Sequence, residues 1–262
     1  MDVKICTRSM NEVLYRKAMY LCRLPYRKER ITGATADGYL LGLMEQTDAE
    51  WIVNIDEDAF VCDLAALQRL IDHCVAEGYD NCGMPDGGAV KIRDGNPLVT
   101  NPFFNIFHTG HLHNAYNPDS MTFESIEGHF PEEAKNWIKQ PYDYGNTTEE
   151  PFYPLLLWMG SRRRTLYLRA YNHSDGISTV LCNHLGEPFL IHTWYSRFYN
   201  HDRYHTRRIN RAFREACRIQ GLHYRTPLRD IAACIAEQVR YRAVTTAVAV
   251  KHALVGKKKQ HA

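Results

Sequence analysis

One stretch constrains this chain more than any other. Trp51-Ile52-Val53-Asn54-Ile55 is an almost unbroken apolar run, and it stops abruptly at Asp56-Glu57-Asp58. A half-exposed strand alternates apolar and polar residues, whereas a strand covered on both faces reads as a continuous apolar run. The run therefore predicts a central strand with helices packed on both sides. Its surroundings agree. Val3 to Cys6 reads as a first strand entering the polar loop Thr7-Arg8-Ser9. Residues 10–22 and Asp37 to Gln46 carry helical spacing. The basic stretch Arg23 to Arg30, broken by Pro25, separates them and leaves room for a short strand. Leu64 to Ala76 reads as an amphipathic helix with Asp63 placed to cap it. Alternating strands and helices predict an α/β sheet.

The second half is less regular. Residues 83–118 mix Gly, Pro and Asn with aromatics and read as loops and short strands that build a site. Glu149 to Met159 reads as a short buried helix or turn with acids at its start. Leu166 to Tyr171 and Pro188 to His192 read as strands, and Asp202 to Ile219 as a strongly basic helix. Leu228 to Val255 lacks Gly and Pro and places apolar residues at 228, 231, 235, 239, 244 and 248. It predicts one long amphipathic helix, or two, ending in Lys257-Lys258-Lys259.

Charge separates the two ends. Residues 201–262 hold 14 Lys/Arg against 4 Asp/Glu, an excess of +10, so a net charge of +2 leaves −8 on the first 200 residues. An acidic body argues against an extended nucleic-acid groove. The basic tail, 226–262, admits a peripheral contact with an anionic membrane or with phosphate, or simply a solvated helix face. No apolar run approaches the ~20 residues of a membrane-spanning helix. The eight cysteines include no C-x-x-C pair. They read as reduced core thiols, and the chain as a cytoplasmic protein.

The acidic triplet carries the chemistry. Side chains two apart on an extended strand share a face, so Asp56 and Asp58 are expected to address one point beyond the strand's carboxyl end. Ligands of open α/β sheets bind there. Clustered carboxylates repel unless a cation neutralises them. Oxygen ligands suit Mg²⁺ or Mn²⁺, which keep positions open for substrate phosphates. The plainer alternative is an acidic turn that caps the next helix.

Residues 51–61, WIVNIDEDAFV, resemble the hydrophobic-strand-D-x-D signature of the GT-A nucleotide-sugar glycosyltransferases. Residues 188–197, PFLIHTWYSR, resemble the late strand and histidine of the same superfamily. The resemblance implies an α/β GT-A mixed sheet flanked by helices, with a C-terminal helical extension. Residues 1–225 would form the catalytic domain and 226–262 the basic helical tail. It further implies Mn²⁺ or Mg²⁺ on Asp56, Asp58 and His192. A UDP- or GDP-linked donor sugar would then lie against Thr7, Arg8, Ser9, Asp37, Asp56, Glu57, Asp58 and Arg197. Asp37 equally suits a helix cap. The segment from the first strand to the triplet is shorter than usual for that superfamily.

The loop Gly83-Met84-Pro85-Asp86-Gly87-Gly88 offers Asp86 to sugar hydroxyls, or is an ordinary turn. Glu149 or Glu150 is the candidate base for a carbohydrate or lipid-linked acceptor, if transfer inverts configuration. Acids there equally suit a helix start. Two alternatives stand beside this reading. In a haloacid-dehalogenase-like phosphatase Asp56 would be the nucleophile, although the Thr or Val expected four residues later is Phe60. A non-catalytic nucleotide-binding protein of the same fold is the other. His108, His111 and His113 invite a zinc reading, but no Cys or acidic partner stands nearby in sequence, so a polar loop is expected.

Overall fold

The computed structural model describes residues 2–113, 115–117, 119 and 127–259, the last thirteen by backbone alone. The elements run β1 (Val3–Arg8), α1 (Glu12–Leu21), β2 (Arg27–Ile31), α2 (Ala36–Met44), β3 (Trp51–Ile55) and β4 (Ala59–Val61). Next come α3 (Leu64–Glu77), β5 (Asn81–Pro85), β6 (Thr100–His108) and the one-turn helices α4 (Thr109–Leu112) and α5 (Glu132–Lys135). The chain continues with α6 (Tyr153–Arg162), β7 (Thr165–Tyr167), β8 (Ala170–Asn172), β9 (Thr179–Cys182) and β10 (Pro188–His192). It closes with α7 (Arg203–Ile219) and α8 (Leu228–Lys259).

The expected α/β architecture, a mixed sheet flanked by helices, is present. Six strands pair in the order β2-β1-β3-β6-β5-β7. β3 lies parallel to β1 and antiparallel to β6, and all five of its residues are buried. The short strand allowed between α1 and α2 is β2, at the edge of the sheet. Its sequence, Arg-Lys-Glu-Arg-Ile, is what an edge needs, because exposed charges discourage pairing with another chain. Asp63 caps α3 by accepting from Ala66 N–H, and Gly78 ends that helix in the left-handed region.

Four antiparallel strands form a second, smaller sheet, β4-β10-β9-β8. This sheet alters two expectations. Leu166 to Tyr171 is not one strand: β7 joins the first sheet and β8 the second. The acidic triplet is not extended either. Ala59 N–H donates to Asp56 O at 3.1 Å, so the triplet is a tight turn carrying the chain from β3 into β4. The two acids therefore converge because the chain turns, not because a strand alternates.

The basic tail is a single helix that docks through polar groups. Asp230 is wholly buried, 2.7 Å from Arg16, and Glu237 accepts from Asn11 and Asn200 side chains. Tyr241 stacks on His201. Leu228, Ile231, Ile235, Val239 and Val244 are exposed instead of facing the core. The docked face is set by one buried ion pair and by polar hydrogen bonds, which apolar periodicity does not report. The lysine cluster at 257–259 lies outside the described side chains. No described helix is long and apolar enough to cross a membrane. All eight cysteines are free, and seven are buried.

Candidate functional site

The turn after β3 and the end of β10 meet because β4 pairs antiparallel with β10, setting Ala59 opposite His192. Ligand atoms of Asp56, Asp58 and His192 consequently lie within 4.8 Å of one another. His192 Nε2 stands 3.3 Å from Asp58 Oδ1, with the two residues only 3 % and 2 % exposed. The imidazole stacks on Phe103 at 4.2 Å, which fixes its plane, and its Nδ1 is buried without a partner. Thr193 Oγ1 donates to Asp58 Oδ2 at 3.0 Å.

The surroundings push the two carboxyls in opposite directions. Burial, then the neighbouring Asp58, pushes Asp56 well above the usual carboxylate range, and Arg8 only partly offsets this. Burial also pushes Asp58 upward, but His192, the Thr193 hydroxyl and Arg208 outweigh it and the net shift is downward. Two acids thus crowd one buried space and raise each other's cost of ionising, which is the electrostatic condition a cation relieves. Two carboxylate oxygens and one imidazole nitrogen form a donor set compatible with Mn²⁺ or Mg²⁺.

Beside this cluster opens a cleft of about 350 Å³, lined by Arg8, Met10, Ile92, Arg93, Trp194, Tyr195, Ser196 and Arg197. Trp194 joins the two, since its ring centroid lies 4.3 Å from that of His192. The backbone here is bent against its preference: Trp194 and Tyr195 both have positive φ, 57° and 61°. Arg208 Nη2 donates to Trp194 O at 2.9 Å, and Trp194 Nε1 donates to Thr179 Oγ1 at 2.8 Å, holding the bend. Strain retained this way concentrates at ligand sites.

Arg8, Arg197, Asp56, Asp58 and His192 are thus brought together. The other expected residues are placed differently. Glu57 turns onto the loop after β1, where its carboxylate accepts from Ser9 Oγ at 2.8 Å and Asn11 N–H at 2.7 Å. Ser9 is occupied there and also accepts from Arg30. Thr7 is buried, its hydroxyl unpartnered. Asp37 lies in the first turn of α2, bonded to Thr35, and Thr35 is the cap.

Asp86 is a clear correction. It is wholly buried and meets Arg93 at two points, Asn101 and Tyr153, which together use the acceptor capacity of a carboxylate. A sugar hydroxyl finds no free oxygen on it; instead Asp86 aims Arg93 into the cleft. Glu150 lies 3.5 Å from Arg93 Nη1, while exposed Glu149 bonds Asn146. Both acids precede α6 rather than opening it.

Arg93, Trp194 and Arg208 escaped the sequence reading. Arg208 sits on the basic face of α7 yet is 6 % exposed, with Nη1 donating to Ser178 Oγ at 2.7 Å. Its place at i+4 from Tyr204 gives no hint of that burial. Arg93 had a signal: an acid seven residues earlier, across a glycine-rich loop.

No family model matches the sequence, and no curated protein is similar to it. Among solved structures, the fold is similar to A197 from STIV at 14 % identity and TM-score 0.38, over 72 % of this chain and 94 % of that one. It is similar to a glycosyltransferase involved in glycosylating the major capsid of PBCV-1, at 12 % identity and TM-score 0.31, covering 55 % and 81 %. It is also similar to a Pyrobaculum calidifontis mannosyltransferase solved with GDP-Man and Mn²⁺, at 11 % identity and TM-score 0.39, covering 97 % and 80 %. Superpositions this loose leave function to the geometry of the site itself.

Proposed function

We propose that this chain is a glycosyltransferase that moves a sugar from a UDP- or GDP-linked donor to a hydroxyl of a carbohydrate or lipid-linked acceptor, using Mn²⁺ or Mg²⁺. The observation that carries this reading is one juxtaposition. Asp56, Asp58 and His192 form an acidic cluster that suits a cation, and the adjoining cleft presents Arg8, Arg93 and Arg197. A metal-bound diphosphate has that pattern of charge in reverse.

When bound, the divalent ion on Asp56, Asp58 and His192 offsets charge that develops on the diphosphate leaving group. The guanidiniums of Arg8, Arg93 and Arg197 take the phosphate oxygens, for which their planar forks are suited. Asp86 holds Arg93 in place through its two-point pair. Trp194 offers an aromatic wall to the sugar or the base. Of the two candidate bases, Glu150 is favoured over Glu149, because it alone reaches a residue of the cleft. In an inverting transfer its carboxylate takes the proton of the acceptor hydroxyl.

The test is release of UDP or GDP from a panel of nucleotide sugars, with and without Mn²⁺. Metal-dependent release supports transfer. Metal-dependent binding without release across an acceptor panel favours the non-catalytic alternative, and a phosphoenzyme on Asp56 selects the phosphatase.

A further inference from the structure

We propose that Asp80, His108 and His111, with Glu50 beside them, form a second divalent-cation site suited to Zn²⁺. Ligand atoms of Asp80, His108 and His111 lie within 4.8 Å of one another. Glu50 Oε1 adds a fourth donor 3.6 Å from His108 Nε2. The acidic partners that the histidine-rich loop lacks in sequence are supplied by the fold, from the residue before β5 and the residue before β3.

Asp80 and His108 are held in position from outside the cluster. Asp80 is fixed to the start of β7: its N–H donates to Arg164 O at 2.9 Å, and Arg164 N–H donates to Asp80 Oδ2 at 3.1 Å. That leaves Oδ1 facing His111 Nδ1 at 2.9 Å. His108 ends β6, its N–H donating to Asp80 O at 3.0 Å, and its ring stacks on Trp51 at 4.3 Å and 12°. His108 is 8 % exposed, and its Nδ1 is buried without a partner. The rings of His108 and His111 have centroids only 3.6 Å apart. His113 takes no part, since its ring faces Met44 O.

Two imidazoles and one or two carboxylates are a zinc-type set, with a position open at the exposed His111. The cluster sits at the amino end of β3, whereas Asp56 and Asp58 follow its carboxyl end. Five strand residues span roughly 16 Å, so no single ion serves both. An ion here would tie the ends of β5, β6 and α4 together, as a clip on the sheet.

The experiment uses metal-free full-length protein titrated with Zn²⁺ alone by calorimetry, and with Co²⁺ while following tryptophan fluorescence. Asp58→Ala disables the first site; His111→Ala, at an exposed position, disables the second. The expected result is that Asp58→Ala still binds one Zn²⁺ per chain and melts higher with it. In Asp58→Ala, Co²⁺ should quench fluorescence, and Trp51→Phe in that background should remove the quenching. Adding His111→Ala to Asp58→Ala should weaken Zn²⁺ binding at least about tenfold. An Asp58→Ala protein that binds no Zn²⁺ overturns the proposal, and this arm stands even where His111→Ala does not fold. Undiminished Zn²⁺ binding in the double variant overturns it equally.

Discussion

Asp86 and Arg93 meet in a two-point pair, Nε to Oδ1 at 2.8 Å and Nη2 to Oδ2 at 2.6 Å, with the carboxylate wholly buried and the guanidinium lining the cleft. Breaking a buried pair from one side strands the other charge, at a cost of about 3–5 kcal/mol. Arg93→Gln is expected to lower the urea-unfolding free energy by that order and to weaken nucleoside-diphosphate binding. Unchanged stability would contradict a stabilising Asp86–Arg93 pair.

Gly87 is where the loop carrying Arg93 has no room. A Cβ built there falls 1.8 Å from the Gly95 carbonyl oxygen, a backbone atom that cannot swing aside. Gly87 and Asp94 also pair as an antiparallel bridge. Gly87→Ala is therefore expected to cost about 1–3 kcal/mol through overpacking. Gly42, inside α2 with open space around it, gives the opposite sign: Gly42→Ala should stabilise by about 0.5–1 kcal/mol. Thermal melts of the two variants check both directions.

Burial pushes the Glu57 carboxyl up to about 7, against partial relief from Asn11 N–H and the Ser9 hydroxyl, from an ordinary value of 4.5. Below the unfolded value both states hold the proton, and this contribution to stability is complete. Between the two values the unfolded chain releases the proton while the folded chain keeps it, so stability is lost as pH rises to about 7. In chelator, Glu57→Gln should gain on the parent by about 3 kcal/mol between pH 4.5 and pH 7.5. Parallel stability curves for the two proteins would contradict this.

Glu150→Gln separates chemistry from binding. With Glu150 as the base, turnover should fall about 10²–10⁴-fold, while the affinity for the nucleotide sugar stays close to that of the parent. Glu149→Gln, exposed and bonded to Asn146, should leave turnover unchanged. Single-turnover rates with saturating donor decide it.

What the sequence made legible was local. The apolar run of β3, the Asp63 cap of α3 and the strand entering His192 are all set by neighbours within a few residues, and all were readable. The second sheet was not, because β4 spans only Ala59–Val61 and finds its partner about 130 residues on. Asp86 was misread for a related reason: its four donors arrive from positions 93, 101 and 153. A carboxylate in a glycine-rich loop looks free until those partners are placed. Arg208 looked like one more charge on a basic helix, although it holds the bend at Trp194.

The central claim is that a cation is gripped by Asp56, Asp58 and His192 and presents the cleft to a diphosphate. The most direct measurement is the melting temperature of the parent and of Asp58→Ala with UDP or GDP, with and without Mn²⁺. A ligand that binds only the folded state at a hundred times its dissociation constant stabilises it by about 2.7 kcal/mol. The account predicts a rise for the parent that requires both nucleotide and metal, and none for Asp58→Ala. An equal, metal-independent rise in both proteins would contradict it.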